Sequence, residues 1–159
     1  MLQKFAALAT VGAGLAIGLL WPASNHGTAN ATAGVPDVVL ARSADHHYYA
    51  DVNVNGRPVH FMIDTGADQI ALTEADAQSA GFQIDPMKYE VIGDGASGMV
   101  RGQFIQLKSI DLDGIKQQDV SAVVVQGASV SLLGQPFLEK IDEIVIRHGE
   151  MRLKAPAAS

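Results

Sequence analysis

The chain has 159 residues, of which 48% are hydrophobic and 18% are charged. This is enough for one domain with a buried core and excludes a largely disordered protein. It contains no cysteine, which excludes a disulfide scaffold, a thiolate metal site and a cysteine nucleophile. A formal net charge of −6 argues against nucleic acid as the main partner.

The first 33 residues differ from the rest because Lys4 is their one charged side chain. From Phe5 to Trp21 every residue is apolar or small. As a helix this run would extend roughly 25 Å, which is at the short end for a membrane span. A positive residue before it and Pro22 after it predict a signal anchor or a signal peptide over residues 1–22. The alternative is a buried N-terminal helix, which would need a core on every side.

Residues 23–37 are mostly small and polar, with Gly and Pro, and predict a flexible linker to one domain over residues 38–159. Short apolar or alternating runs separated by turn residues then predict an all-β domain. Ala50–Val54 alternates, and Asn55-Gly56 predicts a hairpin back into Pro58–Ile63. Because Phe61-Met62-Ile63 is continuously apolar, the end of that strand is expected to be buried on both faces.

A short strand at Ile70–Leu72 is followed by a predicted helix, with Thr73 and Asp76 as a capping pair and Gly81 as its stop. The later elements are strands, except for a short helix that Pro136 opens and that runs to Ile141. They comprise Tyr89–Ile92 and Val100–Leu107 around a glycine-rich segment, Ile110–Leu112 and Ile115–Val125 around Asp113-Gly114, Ser129–Leu133, and a final hairpin of Ile144–Ile146 with Met151–Leu153. Many short strands with one or two short helices predict a small closed barrel or a sandwich.

An acidic residue, Asp64, directly follows the predicted buried strand end and precedes Thr65, Gly66 and Ala67. A carboxylate at such a position is costly unless it is hydrogen-bonded or paired. Thr65 and Gly66 offer a hydroxyl group and closely approaching backbone N–H groups in a tight turn. The pattern therefore predicts a functional carboxylate, and the alternative is a chance Asp-Thr-Gly in a β-turn.

The segment Met62–Ala67 and the later segment Leu132-Leu133-Gly134 together resemble the retropepsin-like aspartic proteases. The resemblance is to the small bacterial single-lobe type with an N-terminal membrane segment, and it covers about residues 48–154. It implies a single-lobe, retropepsin-like closed β-barrel. In that barrel Asp64, Thr65 and Gly66 form the catalytic turn, and Leu132, Leu133 and Gly134 support the turn from beneath.

The glycine-rich segment Gly93–Gly98 formally fits the Gly-x-Gly-x-x-Gly pattern of dinucleotide-binding loops. That interpretation is rejected because a strand, not a helix, is predicted after it. The resemblance implies that this segment is the tip of a flap that closes over bound peptide, whereas the plain alternative is a solvated hairpin loop. The substrate-binding residues implied for the flap and the site rim are Ala67, Asp68, Gly93, Asp94, Gly95, Ala96, Ser97 and Gly98.

Aspartic proteases use two carboxylates that share one proton, since like charges about 3 Å apart cannot both ionise. This chain has one Asp-Thr-Gly, so the resemblance implies a homodimer with one Asp64 from each copy. The terminal strands Ile144–Ile146 and Met151–Leu153 are expected in the dimer sheet. The expected function is therefore an aspartic endopeptidase acting on peptide or protein substrates. The alternative is a non-catalytic module of the same fold that binds peptides or dimerises.

One position departs from the family pattern. In many viral members the Asp two residues after the motif's Gly pairs with an Arg that follows the apolar-apolar-Gly segment. Here Asp68 is present, but Gln135 and Pro136 follow Gly134. We therefore expect either a weaker dimer or an Asp68 that is free to contact substrate.

No cofactor and no metal are expected. Adjacent histidines on a strand, as His46 and His47 would be, point to opposite faces, and no third ligand is apparent nearby. Lys4 precedes the apolar run, and Arg42 is the first basic residue after it. For a bacterial protein this predicts a single-pass inner-membrane protein with its domain in the periplasm, or an exported domain if the N-terminal segment is cleaved.

Overall fold

The structure is a computed structural model that describes residues 36–95 and 98–156. The predicted anchor over residues 1–22, the linker up to residue 35, and Ala96 and Ser97 of the predicted flap lie outside the described residues. Within the described part of the chain, no helix has the length and hydropathy needed to cross a membrane. The anchor and the domain boundaries stay predictions.

Strands dominate the described chain, as the sequence predicts for an all-β domain. The strands are β1 (Asp37–Ala41), β2 (Tyr49–Val54), β3 (Arg57–Ile63), β4 (Ala71–Leu72), β5 (Glu90–Gly95), β6 (Gly98–Leu112), β7 (Ile115–Val125), β8 (Ser131–Leu133), β9 (Glu143–Arg147) and β10 (Glu150–Lys154). The helices are α1 (Glu74–Ser79), α2 (Gln135–Leu138) and one turn of 3-10 helix at Pro86–Lys88.

The central sheet closes into a barrel. Each strand in the order β2-β3-β8-β4-β7-β6 is hydrogen-bonded to the next. Asn53 and Val54 of β2 pair with Asp111 and Ile110 of β6 and complete the ring. β5 pairs with β6 and extends the sheet as a hairpin beside the barrel. The expected closed barrel is confirmed.

Alternating side chains fill the barrel. Val52 and Val54 of β2 are fully buried, and the turn after them has φ values of 52° at Asn55 and 79° at Gly56, as the predicted hairpin requires. At the end of β3, Phe61 and Ile63 are buried but Met62 is half-buried. The expectation of burial on both faces is therefore wrong, because successive side chains alternate and only one face meets the barrel core.

Local signals set the ends of α1. The Thr73 hydroxyl group accepts a hydrogen bond from the backbone N–H of Asp76 at 3.0 Å, and Gly81 follows the helix with a φ of 93°, as predicted.

The lengths of two other elements differ from the prediction. α2 ends at Leu138, not at Ile141, and β6 runs without interruption where two strands were expected.

The chain termini of the domain form a second sheet, with the antiparallel order β1-β10-β9. The β9–β10 hairpin was predicted, whereas β1 was not, and β1 begins at Asp37, one residue inside the predicted linker. Val38, Met151 and Leu153 are buried, so one face of this sheet joins the domain core.

Candidate active site

Asp64 lies where β3 leaves the barrel. The backbone N–H of Asp64 donates to the Leu133 carbonyl oxygen at 3.2 Å. The N–H of Gly66 donates to the carboxylate oxygen Oδ1 of Asp64 at 2.9 Å, and the N–H of Ala67 donates to the Asp64 carbonyl oxygen at 3.3 Å. Asp64 is half-buried, while Thr65 and Gly66 are exposed. The turn therefore orients the carboxyl group and leaves it accessible.

The segment Leu132–Gly134 lies directly against this turn. β8 runs parallel to β3 and pairs Leu132 with Met62 and Leu133 with Ile63. A Cβ atom on Gly134 would come within 2.1 Å of the Gln69 carbonyl oxygen and 2.6 Å of the Ala67 carbonyl oxygen. Because no side chain fits between these backbones, a glycine is required here for the close approach.

Gln135 holds the turn at two more points. Its backbone N–H donates to the Ala67 carbonyl oxygen at 2.8 Å, and its side-chain Nε2 donates to the Thr65 carbonyl oxygen at 2.6 Å. Sequence reasoning noted this residue only as a departure from the family pattern. Asp68 is exposed and forms no salt bridge with any partner in residues 36–95 and 98–156.

The β5–β6 hairpin occupies the place of the predicted flap. It pairs Gly93 with Val100, Asp94 with Met99, and Gly95 with Gly98, with an irregularity between Val91 and Gly93. Its strands continue further into the glycine-rich segment than predicted. The remaining two predicted flap residues, Ala96 and Ser97, are the ones outside the described chain.

The base of the hairpin is tied to α1 through Tyr89. The Arg101 guanidinium donates to the Tyr89 carbonyl oxygen at 2.7 Å, and the Tyr89 hydroxyl donates to a carboxylate oxygen of Glu74 at 2.6 Å. Burial, and then the hydrogen bond to Glu74, raise the pKa of Tyr89 to about 12. The phenol therefore stays a protonated donor throughout the physiological pH range.

A cleft of about 260 Å³ lies between the turn and the hairpin. It brings together five of the predicted residues: Ala67, Asp68, Gly93, Asp94 and Leu132. The predicted residues Asp64, Thr65, Gly66, Gly98, Leu133 and Gly134 do not line it. Its other lining residues were missed by sequence reasoning and are mostly apolar: Gln69, Ala71, Ile92, Val100, Phe104, Val123 and Val125.

Two apolar residues of this wall share one face of β6, as their spacing in the sequence predicts. Val100 and Phe104 lie four residues apart on β6, so they project from the same face of the strand. Phe104 is 53% exposed, which is unusual for a phenylalanine. A large apolar side chain on an open cleft wall is a contact surface for an apolar ligand group.

The two adjacent histidines lie in a turn before β2, not on a strand as assumed from the sequence. His46 has a φ of 72°, and His47 approaches Asp45 at 3.6 Å. Across the described ranges, no cluster of three or more His, Asp or Glu side chains has the arrangement to hold a metal ion.

The sequence model of the gag-polyprotein putative aspartyl protease family matches residues 50–140. The crystal structure of a retropepsin-like aspartic protease from Rickettsia conorii is similar, with a TM-score of 0.64 and 31% identity, over 78% of this chain and 94% of that chain. The EIAV protease in complex with the inhibitor HBY-793 shares the fold, with a TM-score of 0.50 and 21% identity, over 61% of this chain and 89% of that one.

Two curated bacterial proteins are also similar. An uncharacterized protein of Rickettsia prowazekii (strain Madrid E) is 37% identical over 107 residues, which are 67% of this chain and 46% of that protein. An uncharacterized protein encoded in the cobV 5' region of a Sinorhizobium species is 29% identical over 123 residues, 76% of this chain and 53% of that protein. The chain thus spans about half the length of these relatives. The family match and the shared barrel establish that the chain belongs to the retropepsin-like aspartic proteases.

Proposed function

We propose that the protein is an aspartic endopeptidase that works as a homodimer, with Asp64 of each copy forming the catalytic pair. The observation that carries this proposal is the geometry of the Asp64 turn. An accessible carboxyl group stands at the end of a barrel strand, with one oxygen held by the Gly66 N–H at 2.9 Å. The single Asp-Thr-Gly of the sequence is the reason for requiring a second copy.

The chemistry follows from placing two such carboxyl groups side by side. They share one proton, since like charges in contact cannot both ionise. The ionised Asp64 takes a proton from a water molecule, and the water oxygen attacks the carbonyl carbon of the peptide bond. The protonated Asp64 donates its proton to the carbonyl oxygen and becomes ionised. The C–N bond then breaks as the first Asp64 gives the proton it took from water to the leaving nitrogen. The second Asp64 takes a proton from a hydroxyl group of the intermediate, which leaves a carboxylic acid, an amine and one shared proton. In this proposal Thr65, exposed on the turn, hydrogen-bonds the equivalent turn of the second copy.

The cleft between the turn and the hairpin supports a peptide as the substrate. Among the described residues, β5 pairs with β6 on one side only, so its other edge offers backbone groups to an extended peptide. The apolar wall with Phe104 and Val123 suits an apolar substrate side chain. Asp68 and Asp94 at the same cleft are available to contact polar parts of the peptide.

The terminal sheet is the proposed dimer surface. β9 is an edge strand of the order β1-β10-β9, and Ile146 on it is 56% exposed. Ile146 pairs with Met151 of β10, which is buried, so Ile146 extends an apolar face to the sheet edge. Activity per chain should fall on dilution. An active species that sedimentation shows to be strictly monomeric would refute the dimer.

The catalytic assignment is tested by Asp64→Asn in the full-length protein. This change keeps the shape of the side chain and removes the shared proton, so we expect cleavage of a mixed peptide substrate to fall about 10³-fold or more. Asp113→Asn is the matched control, because Asp113 is an exposed residue of the β6–β7 turn. Cleavage by Asp64→Asn at the wild-type rate would refute the assignment. Peptide binding without cleavage by the wild type would favour the non-catalytic module.

The shared proton also predicts the pH dependence of cleavage. We expect maximal activity on the acidic side of neutral, because one of the two carboxyl groups must remain protonated. The measurement is the rate of peptide cleavage between about pH 3 and pH 9, well across the range of ordinary carboxyl groups. A rate that rises continuously to about pH 9 would contradict the mechanism.

We further propose that residues 5–21 anchor the protein in a bacterial inner membrane with the protease domain in the periplasm. The support is the charge pattern of the sequence, with Lys4 before the apolar run and Arg42 as the next basic residue. A reporter that is active only in the periplasm, fused after Ser159, should be active. An intact but silent fusion in the cytosol would overturn this topology.

A further inference from the structure

Gln135 and Asp64 contact the same peptide group from opposite sides. The peptide group between Thr65 and Gly66 has its carbonyl oxygen on Thr65 and its N–H on Gly66. The carbonyl oxygen accepts a hydrogen bond from Nε2 of Gln135 at 2.6 Å. The N–H donates to Oδ1 of Asp64 at 2.9 Å. One amide plane therefore joins the Gln135 side chain to the carboxylate of Asp64.

Hydrogen bonds in such a chain strengthen one another. A donor on the carbonyl oxygen of a peptide group draws electron density from its nitrogen and makes its N–H a better donor. A better N–H donor stabilises the ionised form of the carboxyl group that accepts it. The same two bonds also fix the plane of the peptide group and therefore the direction of the N–H.

We propose that Gln135 is a positioning residue for proteolysis, which acts on Asp64 through the Thr65–Gly66 peptide group. This inference rests on the proposed function, in which the carboxylate of Asp64 is catalytic. The Gln135 side chain replaces the ion pair that the family pattern would place here. It is uncharged and touches the turn itself rather than Asp68.

The surroundings of Gln135 hold its side chain in place for this role. Its backbone N–H is fixed on the Ala67 carbonyl oxygen at 2.8 Å, and it lies at the first position of α2. Pro136 follows it and restricts the backbone at the helix start. Gln135 is half-buried, whereas its hydrogen bond to the exposed Thr65 is open to solvent.

The test uses Gln135→Met and Gln135→Glu in the full-length protein. Met has nearly the length of Gln but no donor, so we expect kcat to fall about tenfold or more with KM changed less than about threefold. The acidic limb of the pH–activity profile should move to higher pH, because the carboxylate loses support. Gln78→Met is the matched control, since Gln78 is an exposed residue of α1; it should match the wild type.

Gln135→Glu separates positioning from a merely structural role. A glutamic acid side chain donates to the Thr65 carbonyl oxygen only when it is protonated. The activity of Gln135→Glu relative to Gln135→Met should therefore rise as the pH falls through about 4. A ratio that does not depend on pH, or a wild-type pH profile for Gln135→Met, would overturn the inference.

A second measurement does not depend on activity. In Gln135→Met we expect the amide proton resonance of Gly66 to move upfield, because its hydrogen bond to Asp64 weakens. An unchanged resonance in a folded variant would refute the inference even if activity fell. The two proposals fail separately. If Asp64→Asn is inactive while Gln135→Met behaves as the wild type, only the role of Gln135 is wrong, whereas cleavage by Asp64→Asn at the wild-type rate refutes the proposed function itself.

Discussion

The turn that carries Asp64 and the β5–β6 hairpin line the same cleft, but they are held in different ways. The turn is fixed by segments far away in the sequence: Leu133 accepts its first N–H, Gly134 packs on its backbone, and Gln135 donates to it twice. The hairpin is held mainly by its own ladder. Its ties to other elements lie at its base, where Tyr89 donates to Glu74 of α1 and Gly102 of β6 pairs with Val125 of β7.

Under the proposed function, this difference separates a turn that must be exact in position from a hairpin that must move. Reacting groups lose rate when they are misplaced by about 1 Å, and contacts from several elements hold such a position. A lid that admits substrate needs a low cost of opening, which local contacts provide. The comparison predicts that substitutions behind the turn destabilise the fold strongly, whereas those in the hairpin do so weakly.

The largest effect is expected for Gly134→Ala. Its Cβ atom would lie 2.1 Å from a backbone oxygen, so the turn or β8 must shift. We expect a loss of at least about 3 kcal/mol in the free energy of unfolding, measured by chemical denaturation. Gly93→Ala in the hairpin is the control, because nothing lies within 4 Å of its Cβ position, and it should change stability by less than about 0.5 kcal/mol. Equal effects would remove the distinction between the two regions.

A smaller effect is expected for Ser131→Ala at the start of β8. The fully buried hydroxyl of Ser131 donates to Asp76 at 2.5 Å and accepts the N–H of Thr73 at 3.0 Å. Removing it leaves the N–H of buried Thr73 unpaired and takes from Asp76 one of two hydroxyl donors, which should cost about 1–3 kcal/mol. The exposed Ser121 hydroxyl donates to Gln106 at 3.2 Å, and Ser121→Ala should cost less than about 0.5 kcal/mol. Thermal unfolding of both variants gives the comparison.

The smallest effect is expected for Tyr89→Phe at the hairpin base. Loss of the hydrogen bond to Glu74 should cost about 1 kcal/mol at neutral pH. The folded-state pKa of Tyr89, about 12, lies above the ordinary value of 10.0, so the unfolded chain releases this proton first as the pH rises. The wild type should therefore lose its advantage over Tyr89→Phe between pH 10 and pH 12. The measurement is the denaturation midpoint of the wild type and of Tyr89→Phe across that pH range. A difference between the two midpoints that does not change with pH would contradict the raised pKa of Tyr89.

The elements that sequence reasoning found are those with local causes. Asn55-Gly56 forms a turn when it lies between alternating strands. The hydroxyl group of Thr73 caps α1 by accepting a hydrogen bond from the N–H of Asp76, three residues later. The Asp64 turn itself was identified from its own sequence. β1 was missed because Asp37–Ala41 is short and gains its order from β10, more than a hundred residues later.

The parts of the site that were missed have non-local causes. The Gln135 amide reaches Thr65 across 70 positions of the chain, and no pattern of neighbouring residues records that contact. The wall of the cleft joins Ala71 of β4 and Leu132 of β8 to residues of β5, β6 and β7, and β4 meets β7 and β8 only when segments far apart in the sequence pair. The sequence therefore predicted the proposed catalytic residue, Asp64, better than the residues that surround it.

The pairing of β3 with β8 has a consequence for synthesis of the protein. Asp64 leaves the ribosome about 70 residues before its partners Leu133, Gly134 and Gln135. Until those residues emerge, the nascent chain contains the acidic turn but none of the contacts from behind that orient it. Such long-range pairs form late and slowly. For the proposed protease, the catalytic turn is therefore not held in place until nearly the whole domain has been made.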